Sequence, residues 1–131
     1  QRIVAAGDPY PDQLRATAEA VAAAAGLVNW TRWAIAWQSA GRTPEPWLGP
    51  DILQVIDDLA ASENHAGHPR GLLVSAVGFV ADHLEVLYDL DIEAAARAQA
   101  HGIAFARTAC VNDDPTVMAA LAQRVIEADQ A

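Results

Sequence analysis

Glu85, Asp89 and Glu93 recur every four residues, and Asp82 stands just ahead of them. On an α-helix, at roughly 100° per residue, all four fall within about 80° of arc. Each step of four climbs about 6 Å, so the three main carboxylates make a ladder about 12 Å long. Like charges four apart cost roughly 0.2–0.5 kcal/mol per pair, and the first base on this segment, Arg97, is spaced to pair with Glu93 only. Two readings follow. A solvated acidic face near a helix N-terminus is favoured by the macrodipole. Carboxylates lining a cleft instead take up protons or hold a hard cation through oxygen. The neighbours favour a cleft: Val86 and Ile92 flank the stripe, with Leu84, Leu87, Tyr88 and Leu90 round the rest. A helix apolar on nearly every other face is expected to be buried. His83 stands about 160° from Glu85, so the two need not share a metal, and its bland reading is a histidine hydrogen-bonded within the core. His65 and His68 lie in a polar segment, Asn64 to Arg70, and read as solvated.

The elements that must carry this ladder can be traced along the chain. An Ala-rich helix over Ala16–Ala25 follows the turn residues Asp8, Pro9, Tyr10 and Pro11 and ends at Gly26. Trp33–Gln38 reads as a buried strand, followed by a loop rich in Gly and Pro to Pro50. Asp51 caps a helix reaching Ser62, with Ile52, Val55, Ile56 and Leu59 as its stripe. Leu72–Val77 is a second strand without clean alternation, as expected when both faces of a sheet are covered. The acidic helix runs from about Asp82 to His101 and stops at Gly102; Ile103–Val111 is the third strand. Asp114 and Pro115 open a last helix with Val117, Leu121 and Val125 inward. Alternating helices and strands imply a three-layer α/β/α Rossmann-like domain over residues 1–131, with a short parallel sheet. Ligands of such sheets bind beyond the carboxyl ends of the strands, here Gln38-Ser39, Gly78-Phe79 and Cys110-Val111.

Composition removes several classes of function. With 53% hydrophobic and 19% charged residues, the chain can bury a core and is not of disordered type. Its net charge is −9. All eight bases are Arg, spaced at least ten apart, so no basic stripe for nucleic acid exists. No apolar run approaches the roughly 20 residues of a transmembrane helix. A lone cysteine, Cys110, excludes an internal disulfide, fits a reducing cytoplasm and reads as a buried thiol near a strand end.

A resemblance now becomes specific. Gly78-Phe79-Val80-Ala81-Asp82-His83-Leu84-Glu85-Val86-Leu87-Tyr88-Asp89-Leu90-Asp91-Ile92-Glu93 is similar, nearly residue for residue, to the signature of the ferrochelatases, the enzymes that insert Fe²⁺ into porphyrins. Gly7-Asp8-Pro9-Tyr10, Trp37-Gln38-Ser39, Pro46-Trp47-Leu48-Gly49-Pro50 and Asn112-Asp113-Asp114-Pro115 resemble further elements of that family in the same order. The bacterial, actinobacterial-type members are the nearest in character.

The resemblance implies the C-terminal half of such an enzyme, one of two Rossmann-like halves that clamp a porphyrin. It implies that Glu85 is the active-site glutamate, for iron delivery or removal of pyrrole protons. It makes Glu85, Asp89 and Glu93 the metal-handling set, with room for a second divalent ion such as Mg²⁺. Asp82, His83 and Tyr88 would support that helix, and Gln38, Ser39 and Trp47 would belong to the porphyrin-side loops. In the family this helix is often widened toward π geometry. The family's catalytic histidine belongs to a Ser-Ala-His-Ser-x-Pro motif that would lie upstream of Gln1, and neither His65, His68 nor His101 replaces it. Ala40 stands where many relatives carry Arg. One cysteine cannot hold the [2Fe–2S] cluster of some relatives. Two other readings stay open: a small cobalt or nickel chelatase acting as a homodimer, and a non-catalytic metal-binding remnant.

Overall fold

The computed structural model describes residues 7–27, 33–38, 47–61 and 71–130. Helix α1 spans Tyr10–Ala24, with Pro11 in its first turn; Gly26, at φ 71°, follows its end in the left-handed region that favours glycine. Helix α2 spans Ile52–Ala61, and its start is capped as expected, the Leu53 N–H donating to Asp51 Oδ1 at 2.8 Å. Strands β1 (Gly71–Val74) and β2 (Ala104–Arg107) pair in parallel, with Gly71 opposite Ala104 and Val74 opposite Arg107. Between them runs one helix of two characters. Val86–Ala94 is a π-helix that passes directly into α3, Ala95–Ala100. Helix α4, Pro115–Asp129, begins where Asp114 Oδ1 accepts the N–H groups of Thr116 and Val117, at 2.9 and 3.1 Å.

The α/β class with a short parallel sheet therefore stands, and a helical crossover joins the paired strands. One core holds it together. Ile52 and Ile56 of α2 meet Val86, Leu90 and Ala94 of the π-helix, Ala98 of α3, and Ile103. Leu72, Val74 and Phe105 close it from the sheet. No helix among the described residues is long and apolar enough to cross a membrane.

Four expectations need correction. Trp33–Gln38 is not a strand of the sheet. Its contribution is a single bridge, in which Trp37 donates its N–H to Pro50 O and accepts from the Ile52 N–H. That backbone is thus committed to the entry of α2. The paired strands do alternate: Leu72 and Val74 are half-buried while Leu73 is 69% exposed, so one sheet face is bare. Val117, Leu121 and Val125 of α4 do not point inward and are 36%, 54% and 69% exposed. An amphipathic pattern shows that a face is apolar but not which surface covers it. Lastly, the acidic helix begins at Leu84, so Asp82 and His83 precede it.

The acidic helix and its anchorage

The π-helix explains how a strict four-residue repeat can serve one face. In an α-helix, residues four apart overshoot a turn by roughly 40°, so a stripe with that spacing drifts off the core. A π-helix closes i→i+5 hydrogen bonds and carries more residues per turn, which removes that drift. Val86, Leu90 and Ala94 are all 0–1% exposed, a column with period four turned into the core. Glu85, Asp89 and Glu93 precede these three by one residue each and share their period. Glu85 and Glu93 are exposed, while Asp89 is half-buried. On the other side of the acidic column run Leu84, Tyr88 and Ile92, which are 78%, 48% and 56% exposed. The helix is therefore buried along one column only, contrary to the expectation of apolar burial all round.

The segment leading into this helix is fixed from several directions. Past the strand ends, Thr108 donates its N–H to Val74 O at 2.9 Å and Asn112 donates to Val80 O at 2.8 Å. Asn112, at φ 50°, also accepts the Asp82 N–H on Oδ1 and donates from Nδ2 to Asp82 Oδ2, both at 2.9 Å. His83 is half-buried and packs edge-on against Phe79, with ring centroids 4.4 Å apart. Its Nδ1 accepts the Glu85 N–H at 3.2 Å, satisfying one of the donors that a helix start leaves free. In the neutral ring the proton then sits on Nε2. Asp82 and His83 thus position the start of the helix, and Asp82 leaves the carboxylate column.

Arg107, at the end of β2, is the hub that the sequence reading missed. It grips Asp91 through Nε and Nη2, at 2.6 and 2.9 Å, and its Nη1 lies 2.9 Å from Asp82 Oδ1. These carboxylates raise its already high pKa further, the Asp91 hydrogen bonds most. A lone base at the carboxyl end of a strand, opposite five acids, was the available signal. Cys110 is half-buried, its thiol pushed up first by burial and then by Asp82, so it is held as the thiol.

Arg97 pairs with Asp57 of α2 at 2.7 Å, not with Glu93, because α2 packs alongside α3 and presents its acid there. His101 Nε2 also lies 3.0 Å from Asp57. Hydrogen bonds from Arg97 and then His101 lower the Asp57 pKa; the Asn112 side chain, above all, lowers that of Asp82. A depressed carboxylate contributes stability above its unfolded pKa, about 4. That contribution is lost as pH falls through the lower folded value. Asp57→Asn should therefore destabilise the protein in urea at pH 7, by an amount limited by solvent screening, and the difference should be smaller at pH 2.5. An equal difference at both pH values would contradict this assignment.

Of the other named positions, Tyr88 is exposed beside Asp89, and Trp47 is 49% exposed. Gln38 is half-buried, its Nε2 buried without a hydrogen-bond partner among the described residues. Ser39, Ala40, His65 and His68 lie outside the described residues. Among the described residues, no three His, Cys, Asp or Glu side chains are gathered closely enough to hold one metal ion together. Among the described residues the acidic column is thus a file of carboxylates and not a three-ligand cage. Such a file can pass a hydrated cation along by oxygen contacts, or accept protons, without caging the ion.

The family model for ferrochelatase matches residues 1–129. A protein named coproporphyrin III ferrochelatase from Geobacillus thermodenitrificans is 44% identical over 127 residues, covering 97% of this chain. One named ferrochelatase from Deinococcus radiodurans is 45% identical over 126 residues, or 96% of the chain. Another coproporphyrin III ferrochelatase, from Halalkalibacterium halodurans, is 43% identical over 122 residues, or 93%. The chain spans only 37–38% of the length of these relatives.

Proposed function

The chain belongs to the ferrochelatase family, and on that basis we propose that it is the iron-handling C-terminal part of an enzyme that inserts Fe²⁺ into a porphyrin. Insertion replaces two pyrrole N–H protons by one Fe²⁺, so the site must conduct a hydrated dication in and two protons out. Carboxylates spaced along one helix face suit both tasks, since oxygen ligands match a hydrated divalent ion and accept protons. The observation that carries the reading is the column Glu85–Asp89–Glu93, kept in line by the π-helix of the crossover between β1 and β2. Glu85 is the working residue, as iron ligand or proton acceptor. Asp89 and Glu93 form the path behind it and can hold a second divalent cation such as Mg²⁺.

The rest of the enzyme would come from the N-terminal half, which supplies the other wall of the cleft. In support, this portion leaves wide apolar faces bare. Leu84 and Ile92 flank the acids, and Leu121 and Val125 lie on α4, all at least half exposed. Contiguous apolar faces of that kind are surfaces to be covered. Gln38, Ser39 and Trp47 would line the porphyrin side. The cytoplasm is the proposed compartment, in keeping with the single cysteine.

Coproporphyrin III is the proposed substrate, a reading supported by the names of several relatives. Anaerobic assay of the full-length protein with Fe²⁺ and each porphyrin tests it: a higher kcat/KM is expected for coproporphyrin III than for protoporphyrin IX. Insertion into neither porphyrin would overturn the functional reading. Asp89→Ala in the same protein should raise KM for Fe²⁺ with a smaller change in kcat, as expected for loss of a relay carboxylate. An unchanged dependence on iron would remove Asp89 from the path.

A further inference from the structure

Five acids stand between residues 82 and 93, namely Asp82, Glu85, Asp89, Asp91 and Glu93, and only three belong to the column. Asp82 and Asp91 are both engaged by one side chain, Arg107, which is itself only 12% exposed. Its contact with Asp91 is bidentate, a geometry that fixes direction as well as distance. Its Nη1 also donates to Thr108 O at 3.0 Å, which ties the guanidinium to the strand exit. A single guanidinium therefore hydrogen-bonds a residue well inside the π-helix and the exit of β2, and forms an ion pair with the residue two before the helix.

We propose that Arg107 is a positioning residue for iron: it sets the roll of the π-helix that carries Glu85, Asp89 and Glu93, and it occupies Asp82 and Asp91, so that neither competes with that column for the cation. Both effects follow from the contacts. The acidic column and the buried column are parts of one helix, so whatever fixes its roll fixes where the acids point. Without Arg107, Asp82 and Asp91 become two uncompensated carboxylates beside the path, and they compete for the same divalent ion. Lysine cannot replace it fully, because a point charge cannot grip Asp91 through two hydrogen bonds while also pairing with Asp82.

This inference rests on the functional reading above, and the test separates the two. In the full-length protein, Arg107→Lys and Asp91→Asn are each compared with the parent, with circular dichroism to confirm folding. KM for Fe²⁺ is expected to rise roughly tenfold in each, as for other partners that orient metal ligands, with kcat changed by less than about twofold. Mn²⁺ binding followed by electron paramagnetic resonance should show an additional weak site in Arg107→Lys. Asp91 is exposed, so Asp91→Asn folds even if Arg107→Lys does not. Folded variants with the parent's KM for iron and the parent's Mn²⁺ stoichiometry would overturn the inference alone. Normal turnover by Glu85→Gln would instead overturn the reading beneath it.

Discussion

Glu85→Gln in the full-length protein is expected to abolish iron insertion while leaving the fold intact. The substitution keeps the shape of the side chain and removes its charge, and with it both its basicity and most of its affinity for a divalent ion. Loss of a positioned general base alone typically costs about 10²–10⁴-fold in rate. Folding should not suffer, because Glu85 is exposed and no ion pair of the described residues involves its carboxylate. Its backbone N–H, which donates to His83, is untouched by the change. Single-turnover insertion measured beside a thermal melt checks both halves of the statement. Turnover at the parent's rate would remove Glu85 from the chemistry.

Leu90→Ala should have the largest effect on stability. Leu90 is 1% exposed at the middle of the buried column, packed among Ile52, Ile56, Val86 and Ala94. Truncating a fully buried leucine costs roughly 2–5 kcal/mol, from lost transfer energy and the cavity left behind. That is a large share of the roughly 5–15 kcal/mol that holds a typical domain together. The functional consequence follows from register. A cavity under the buried column loosens the helix that also carries the acids, so iron KM should rise at temperatures where the variant remains folded. Equilibrium urea unfolding tests the first part, and a loss below about 1 kcal/mol would show that Leu90 is not central to the packing.

Much of the fold was legible residue by residue. Asp51 and Asp114 could be read as caps because a short acceptor side chain before an apolar stripe satisfies the free N–H groups of a helix start. Gly26 and Gly102 could be read as stops, and both lie at φ 71°. The helix of the acidic signature and its crossover position after β1 were also legible. Periodicity could not reveal the π geometry, since a four-residue repeat alone reads as a drifting α-stripe; the family resemblance supplied that expectation. The exposure of Leu84, Tyr88 and Ile92, and of the α4 stripe, was equally beyond pattern, because burial depends on what lies opposite. Arg107 was hidden for another reason. Its partners, Asp82 and Asp91, are sixteen or more residues away, and a pairing across a crossover leaves no local mark. Asp82 could be read as a support of that helix, but not through which partners, Arg107 and Asn112, it acts.

The iron path along the acidic column is tested most directly by anomalous diffraction at the iron edge, from anaerobic crystals of the full-length protein soaked with Fe²⁺. The expected result is an iron peak roughly 2.0–2.2 Å from a carboxylate oxygen of Glu85, Asp89 or Glu93, lost from Glu85 in the Glu85→Gln crystal. Iron ordered only away from that column, in crystals of an active enzyme, would contradict it.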